Sequence, residues 1–572
     1  VPVIPGSSLR GMVRSIVEII SFSKVHSVTN QPLVYRAVGD TSSLGIGYRS
    51  RLLQEVKPGT YEFKMHAGYM HKHGNSWEIV PADPLNGAAF ARVEQKDIPN
   101  NLPKWHSADN AYQAYVALAP LKDYTHAKGK VRLRYVKATK VDPEASPGLK
   151  QAIIVRTGSI GRKHQEFVFG YPNTTDSNKA IPVEQALVEA YRDQLTESQQ
   201  KLLGNNGVLQ DWQPVFYLIE NEKLTFFGHA MMFRLPYLRS PSDYMPKSLH
   251  DDEQIDLSEA LFGYVGKAKS ERKPVACAGR VFFGDAHLES AKDGIWLSEN
   301  SINPKILASP KPTTFQHYLV QDKSKGHDPD VKQQLAHYAT PTQETAVRGH
   351  KLYWHRDNVG LDEIKERTEK VDKAPKQYTR IKPVKAAVTF RFRIYFENLR
   401  HFELGALLWA LTLPGEADKD YCHSLGMGKP LGLGAVKISS TLYLSDRKDR
   451  YSQLFAGTDW KRGERQEPDM QQFISAFEAF VLSGMDTNEC GQAKSLREVH
   501  RIMVLLKMLE WPGPARSLTE YMTIEPNNEY KERPVLPDPE HIDEPNGSGK
   551  HTTQKPRRSQ KGYRQDYRRG RR

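Results

Sequence analysis

The chain reads as an α+β protein. Apolar residues recur with a helical period near both ends, a two-residue alternation marks a strand at 388–397, and the stretch 60–228 is rich in paired β-type runs. At the N-terminus, Val1 to Ile4 end a strand, Pro5-Gly6 makes a turn, and Ser7-Ser8 give an N-cap signal. Leu9, Met12, Val13, Ile16, Val17 and Ile20 then share one face, which predicts a first helix over 8–21. Residues 27–60 are polar and read as irregular.

Between 60 and 228, hairpin cues stand at 61–70 with 77–80, at 151–156 with 166–170, and at 215–219 with 224–227. A helix is expected near 182–195, with Val183, Ala186, Leu187, Ala190 and Tyr191 on one face. This block reads as an inserted module. A short helix is expected at 258–263 behind Asp256, a strand at 280–284, and a polar, mobile stretch at 320–350. In the alternating strand, Val388, Phe390, Phe392, Ile394 and Phe396 take the buried face, against Thr389, Arg391, Arg393, Tyr395 and Glu397. Leu404, Leu407, Leu408 and Leu411 predict a helix over 403–413, followed by a glycine-rich loop at 426–434 and a strand at 435–442. Phe473, Ile474, Phe477, Phe480 and Val481 mark one closing helix. Leu496, Val499, Ile502, Leu505, Leu506 and Leu509 mark another. Beyond Pro534 the composition predicts disorder.

Composition narrows the function classes. With 38% hydrophobic and 26% charged residues among 572, the chain can build a core, which rules out wholesale disorder. No apolar run reaches the roughly 18 residues of a membrane span, so no membrane partner is expected. Three cysteines without a CxxC pair predict a reducing, cytoplasmic setting without structural zinc. Net charge is +14, unevenly placed: residues 550–572 hold ten Lys or Arg against Asp566 alone, a net +9 that leaves +5 for the rest. A polycationic tail on a mildly basic body favours a polyanionic partner, RNA or DNA, with a merely solubilising tail as the alternative.

Four segments could carry chemistry. In 4–11, a Gly6-Ser7-Ser8 turn opening a helix offers backbone amides and the positive dipole end to a phosphate, and Arg10 and Arg14 lie on one face. An ordinary capped helix with two solvated arginines is the alternative. In 423–434, Gly426, Gly428, Gly432 and Gly434 let the backbone approach a ligand, with His423 and Lys429 beside it. It is neither a phosphate-binding P-loop nor a dinucleotide fingerprint, and a tight structural turn explains it equally well. In 279–286, Asp285 ends a strand as a metal ligand, an arginine partner or a turn aspartate. In 348–356, Tyr353, Trp354 and His355 interleave with Arg348, Lys351 and Arg356, which suits single-stranded bases and phosphates, or else a half-buried strand. Neither a zinc set nor a nucleophilic triad is apparent.

The segment IPGSSLRGMVR at 4–14 resembles the first-helix signature of CRISPR-associated RAMP proteins, the RRM-like subunits of type III effector complexes. DLSEALFG at 256–263, GRVFFGDA at 279–286, and the helix at 404–411 followed by GMGKPLGLGAVK at 426–437 are similar to later pieces of that family, in order. Added blocks at about 355–356 and 305–319, the latter including SPKPTTFQHYL, resemble a large single-chain subfamily rather than the compact backbone subunit.

The resemblance implies a ferredoxin-like, RRM-type core beginning in 1–59 and resuming over 229–445. Around it lie the β-rich insertion 60–228, a helical region 446–533 and a disordered basic tail 534–572. It further implies crRNA and target RNA as partners beside other CRISPR effector subunits. Gly6, Ser7, Ser8, Arg10, Arg14, His423, Gly426, Gly428, Lys429, Gly432, Gly434, Tyr353 and His355 are then the expected RNA-binding residues. Some relatives cut target RNA with Mg2+ or Mn2+ and an aspartate placed before the IPGSSLRG segment. That place lies upstream of Val1, so no catalytic residue is assigned and Asp285 does not match it. The competing expectations are an endoribonuclease, either metal-dependent or processing precursor crRNA through His26 or His423, and a general single-stranded RNA-binding protein.

Overall fold

The structure, a computed structural model, describes residues 2–25, 28–125, 132–158, 163–173, 180–231, 234–249, 254–266, 276–307, 309, 311–461, 463–486, 490–523 and 528–543. Helices and strands are both abundant, so the protein is α+β. It divides into two units. One comprises Val1–Gln31, Ser240–Lys325 and Thr340–Arg572; the other comprises Pro32–Arg239 and Gly326–Ala339.

In the first unit, β1 (Val3–Ile4) runs through Pro5 into α1 (Gly6–Ile20), which begins two residues before its expected start. Leu9, Val13, Ile16, Val17 and Ile20 are buried, as their spacing requires. Each such aliphatic side chain contributes about 1.5–3 kcal/mol on burial. α2 (Leu257–Phe262) is capped by Asp256, which accepts from the Glu259 amide at 2.8 Å, while Glu259 accepts from the Asp256 amide at 3.1 Å.

The sheet that follows runs β1–β3–β4, all antiparallel, with β3 at Ala286–Ala291 and β4 at Val388–Arg391. β2 (Val281–Phe283) pairs with β5 (Ile394–Phe396). The expected strand at 388–397 is therefore interrupted, but its alternation holds: Thr389, Arg391, Arg393 and Tyr395 face outward. α3 (His401–Thr412) packs on α1 and on α4 (Gln471–Gly484). Gly405 makes the α3–α4 crossing close, since a Cβ there would stand 1.9 Å from the Phe473 carbonyl oxygen. Leu404, Leu407, Leu408, Trp409, Phe473, Phe477 and the buried face of α5 (His500–Leu509) complete this core. Phe480, expected on the buried stripe, is 48% exposed and stacks on Phe402 with ring centroids 4.1 Å apart.

Arg280 joins these elements. Its Nε donates to the Ala260 carbonyl at 3.1 Å, and its guanidinium bonds the Asn398 carbonyl at 2.9 Å and the Glu403 carboxylate at 3.0 Å. One side chain thus ties α2, the strand pair and the first turn of α3.

The other unit holds a sheet of eight strands and one of five. In the five-stranded sheet, Ile181–Val183, Ser76–Pro81, His66–His73, Gln213–Glu220 and Lys223–Gly228 lie side by side. The three expected hairpins are present. The unit reaches beyond the expected 60–228 at both ends and takes in 326–339 as well. Residues read as irregular include a helix, Ser43–Leu52, and those read as mobile include the buried Leu335, Ala336 and Tyr338. The expected helix at 182–195 spans Gln185–Asp193, with Val188 and Tyr191 buried and Ala186 and Ala190 exposed.

The tail expected to be disordered from 534 is ordered to 543. Ile542 is buried, Lys507 pairs with Asp543 at 3.0 Å, and His500 bonds Glu540 at 2.8 Å. Lys507 and His500 of α5 hold the two acidic residues, and the buried Ile542 anchors the segment. Residues 544–572 lie outside the described residues.

Candidate nucleic-acid interface

The start of α1 already holds a carboxylate of the protein itself. Asp285, at the turn between β2 and β3, accepts the Gly6 amide through Oδ1 at 2.7 Å. Its carboxylate satisfies a first-turn donor and places negative charge at the positive end of the dipole, where a phosphate was expected. Ser7 and Ser8 are exposed and do not cap the helix, and the Ser8 amide donates to the Pro5 carbonyl at 2.9 Å. Gly6 is required by contact: a Cβ would meet the Phe283 carbonyl oxygen at 2.3 Å. Of the alternatives for Asp285, the structure selects a turn aspartate that caps α1.

Arg10 and Arg14 share a face, as expected, but both are engaged. Arg10 donates to the Phe262 carbonyl and lies over the Phe262 ring, 5.5 Å from its centroid. Burial, then the neighbouring Arg14 charge, lower its pKa. The Arg14 Nε pairs with Glu18 one turn on at 2.8 Å.

The glycine-rich loop remains open. Gly426, Gly428, Gly432 and Gly434 all adopt left-handed backbone, with φ of 78°, 75°, 86° and 84°. At Gly434 a Cβ would stand 1.9 Å from the Leu425 carbonyl oxygen, so that position excludes a side chain as well as requiring the φ. Leu431 is the loop's anchor, buried with Ile302 and Ile364. Around it the Leu425 and Leu433 amides donate to the Gly434 and Gly428 carbonyls. Met427, at the tip, is 75% exposed. Among the described residues, the amides of Gly426, Met427 and Gly428 donate to no protein acceptor. These three amides lie next in sequence to the half-exposed Lys429.

His423 and His355 do not belong to that surface. His423 is 1% exposed, and its Nε2 donates to the Ala410 carbonyl at 2.6 Å. His355 is 4% exposed, and its Nε2 donates to the Cys422 carbonyl at 2.8 Å. Burial lowers both pKa values. Both rings serve as internal donors, which corrects their expected role toward RNA and removes His423 as a solvent-facing acid or base. His26 lies outside the described residues.

The aromatic-basic segment 348–356 is likewise turned inward. Arg348 donates to the Leu536 and Pro537 carbonyls, each at 2.8 Å, and Arg356 donates to the Thr519 carbonyl. Lys351 lies over the Tyr353 ring at 5.4 Å, and Tyr353 is half-buried. Arg348 and Arg356 hold the chain's own carbonyls, so both act as straps rather than as free phosphate ligands.

The fold also assembles an outward surface from residues far apart in sequence. Phe282 on β2 and Tyr395 on β5 stand directly opposite each other, 49% and 58% exposed. Along the same outward face come Arg393, Arg391 and, opposite Arg391, His287. Arg391 pairs with Glu289 at 2.5 Å. The alternation of 388–397 signals this face in sequence, but its aromatic partner across the register comes from a strand about a hundred residues earlier. Among the described residues, no three His, Cys, Asp or Glu side chains converge as a metal-binding group.

No protein-family model matches this chain, and no curated protein matches it.

Proposed function

We propose that this chain is an RNA-binding subunit of a type III CRISPR ribonucleoprotein, holding crRNA mainly through phosphate contacts. The observation that carries this reading is the 426–434 loop, which offers three free amides and Lys429 in a backbone conformation only glycine adopts easily. The exposed Phe282–Tyr395 pair with nearby arginines supplies a surface for unstacked bases, and the net charge of +14 favours a polyanion. The ordered run of sequence pieces that resembles RAMP proteins supports the same reading. The element order strand, helix, antiparallel strands, helix is the order such a core would begin with. The closing strands β6 (His423–Ser424) and β7 (Ala435–Val436) pair with each other.

The test is a salt titration of binding to single-stranded RNA. For single strands, log K falls with log[salt] at about −0.7 per neutralised phosphate. Lys429→Ala should weaken binding and reduce the slope by about 0.7. An unchanged slope and affinity in a folded variant would remove the loop from the interface.

A further inference from the structure

A second polar site lies in the other unit. A cleft of about 550 Å³ opens between the hairpin His66–His73/Ser76–Pro81 and the helices Gln185–Asp193 and Glu197–Leu203. That volume falls in the range of small-ligand sites, roughly 300–1,000 Å³. Lys72 and Trp77 are cross-strand partners in the hairpin, so they share a face. Arg192, at the end of the first helix, supplies a second cation, and Asn75, Asn205 and Asn206 bring amides to the rim. No carboxylate lines the cleft. Among the described residues, neither Lys72 nor Arg192 has an ion-pair partner.

The walls are fixed. Tyr191 accepts the Val208 amide at 3.0 Å, and Gln210 donates to the Gly207 carbonyl at 2.7 Å. Gly207 has φ of 59° and no room for a side chain, since a Cβ would meet the Tyr191 hydroxyl at 2.4 Å. Thr196 and Gln199 form a capping box that sets the second helix. Leu209, buried in the apolar cluster beneath, floors the site.

Two unpaired cations without an acid select an anion. Trp77 in the lining brings an aromatic ring suited to a flat ligand, and the rim amides select groups that both donate and accept. We infer that this cleft binds a nucleotide, with its phosphate on Lys72 and Arg192 and its base against Trp77. The same chemistry is presented by a free mononucleotide and by the phosphorylated end of an RNA chain. The assignment is independent of the loop at 426–434.

The test is calorimetric titration of the full chain with nucleoside 5′-monophosphates, the matching nucleosides, inorganic phosphate, and a 5′-phosphorylated RNA pentamer. The nucleotide should bind at one site, and at least tenfold more tightly than nucleoside or phosphate. Arg192→Glu, at an exposed position that leaves the fold intact, should weaken it at least tenfold. Trp77→Phe should retain binding that Trp77→Ala loses. Saturation by the mononucleotide assigns a free ligand; binding of the pentamer alone assigns a chain end. Absence of binding by both, or affinity unchanged in Arg192→Glu, would overturn the proposal. A phosphate ion binding as tightly as the nucleotide would also overturn it.

Discussion

At the scale of single residues, the chemistry is decided by who already holds each polar group. Arg10, Arg14, His355 and His423 all look available in sequence, and each has a partner in the fold. Lys429 differs: between Gly428 and Pro430, it has no ion-pair partner among the described residues. The buried histidines have a measurable consequence. Burial, with Lys351 adding repulsion, lowers the pKa of His317 to about 4, while its Nε2 donates to the Pro534 carbonyl at 3.1 Å. In the unfolded chain that ring titrates near 6.5. The unfolded state therefore binds the extra proton between about pH 6.5 and 4, and folding stability falls as pH drops through that window. The slope is of order 1.4 kcal/mol per pH unit for this group. Thermal unfolding followed from pH 7.5 to 4 should show the loss, and His317→Gln should flatten the profile. A profile equally steep in the variant would contradict the assignment.

At the scale of elements, two turns carry opposite roles. The β2–β3 turn uses Asp285 to finish α1 and so belongs to stability. Asp285→Ala should cost about 0.5–2 kcal/mol in denaturant unfolding, as other cap removals do, and leave the RNA salt slope unchanged. The glycine loop belongs to binding, but its shape depends on Gly434. There Gly434→Ala meets both the positive φ and the Leu425 carbonyl, and should cost at least about 1 kcal/mol as well as RNA affinity. Gly426→Ala, with open space around the same backbone conformation, should be milder.

The legibility of these elements follows the same physics. The stripe of α1, the leucines of α3 and the alternation at 388–397 were readable because burial imposes a period on sequence. The helix Ser43–Leu52 was not, because Gly45 and Gly47 interrupt its propensity, and Gly45 is there to clear the Asp40 carbonyl. The Asp285–Gly6 bond was hidden for another reason, since it joins positions 279 residues apart.

At the scale of the whole molecule, charge and fold act separately. Residues 550–572 carry +9, so they should accelerate encounter with RNA more than they select it. Deleting them should lower binding at low salt while sparing the dependence on Lys429. Contact of the 426–434 loop with RNA is tested most directly by photo-crosslinking of the intact protein to single-stranded RNA, with the attachment sites read by mass spectrometry. Crosslinks at Met427 and its glycine neighbours, with others at Phe282 and Tyr395, are the predicted result. Crosslinks confined to the basic tail, with none in the loop, would contradict it.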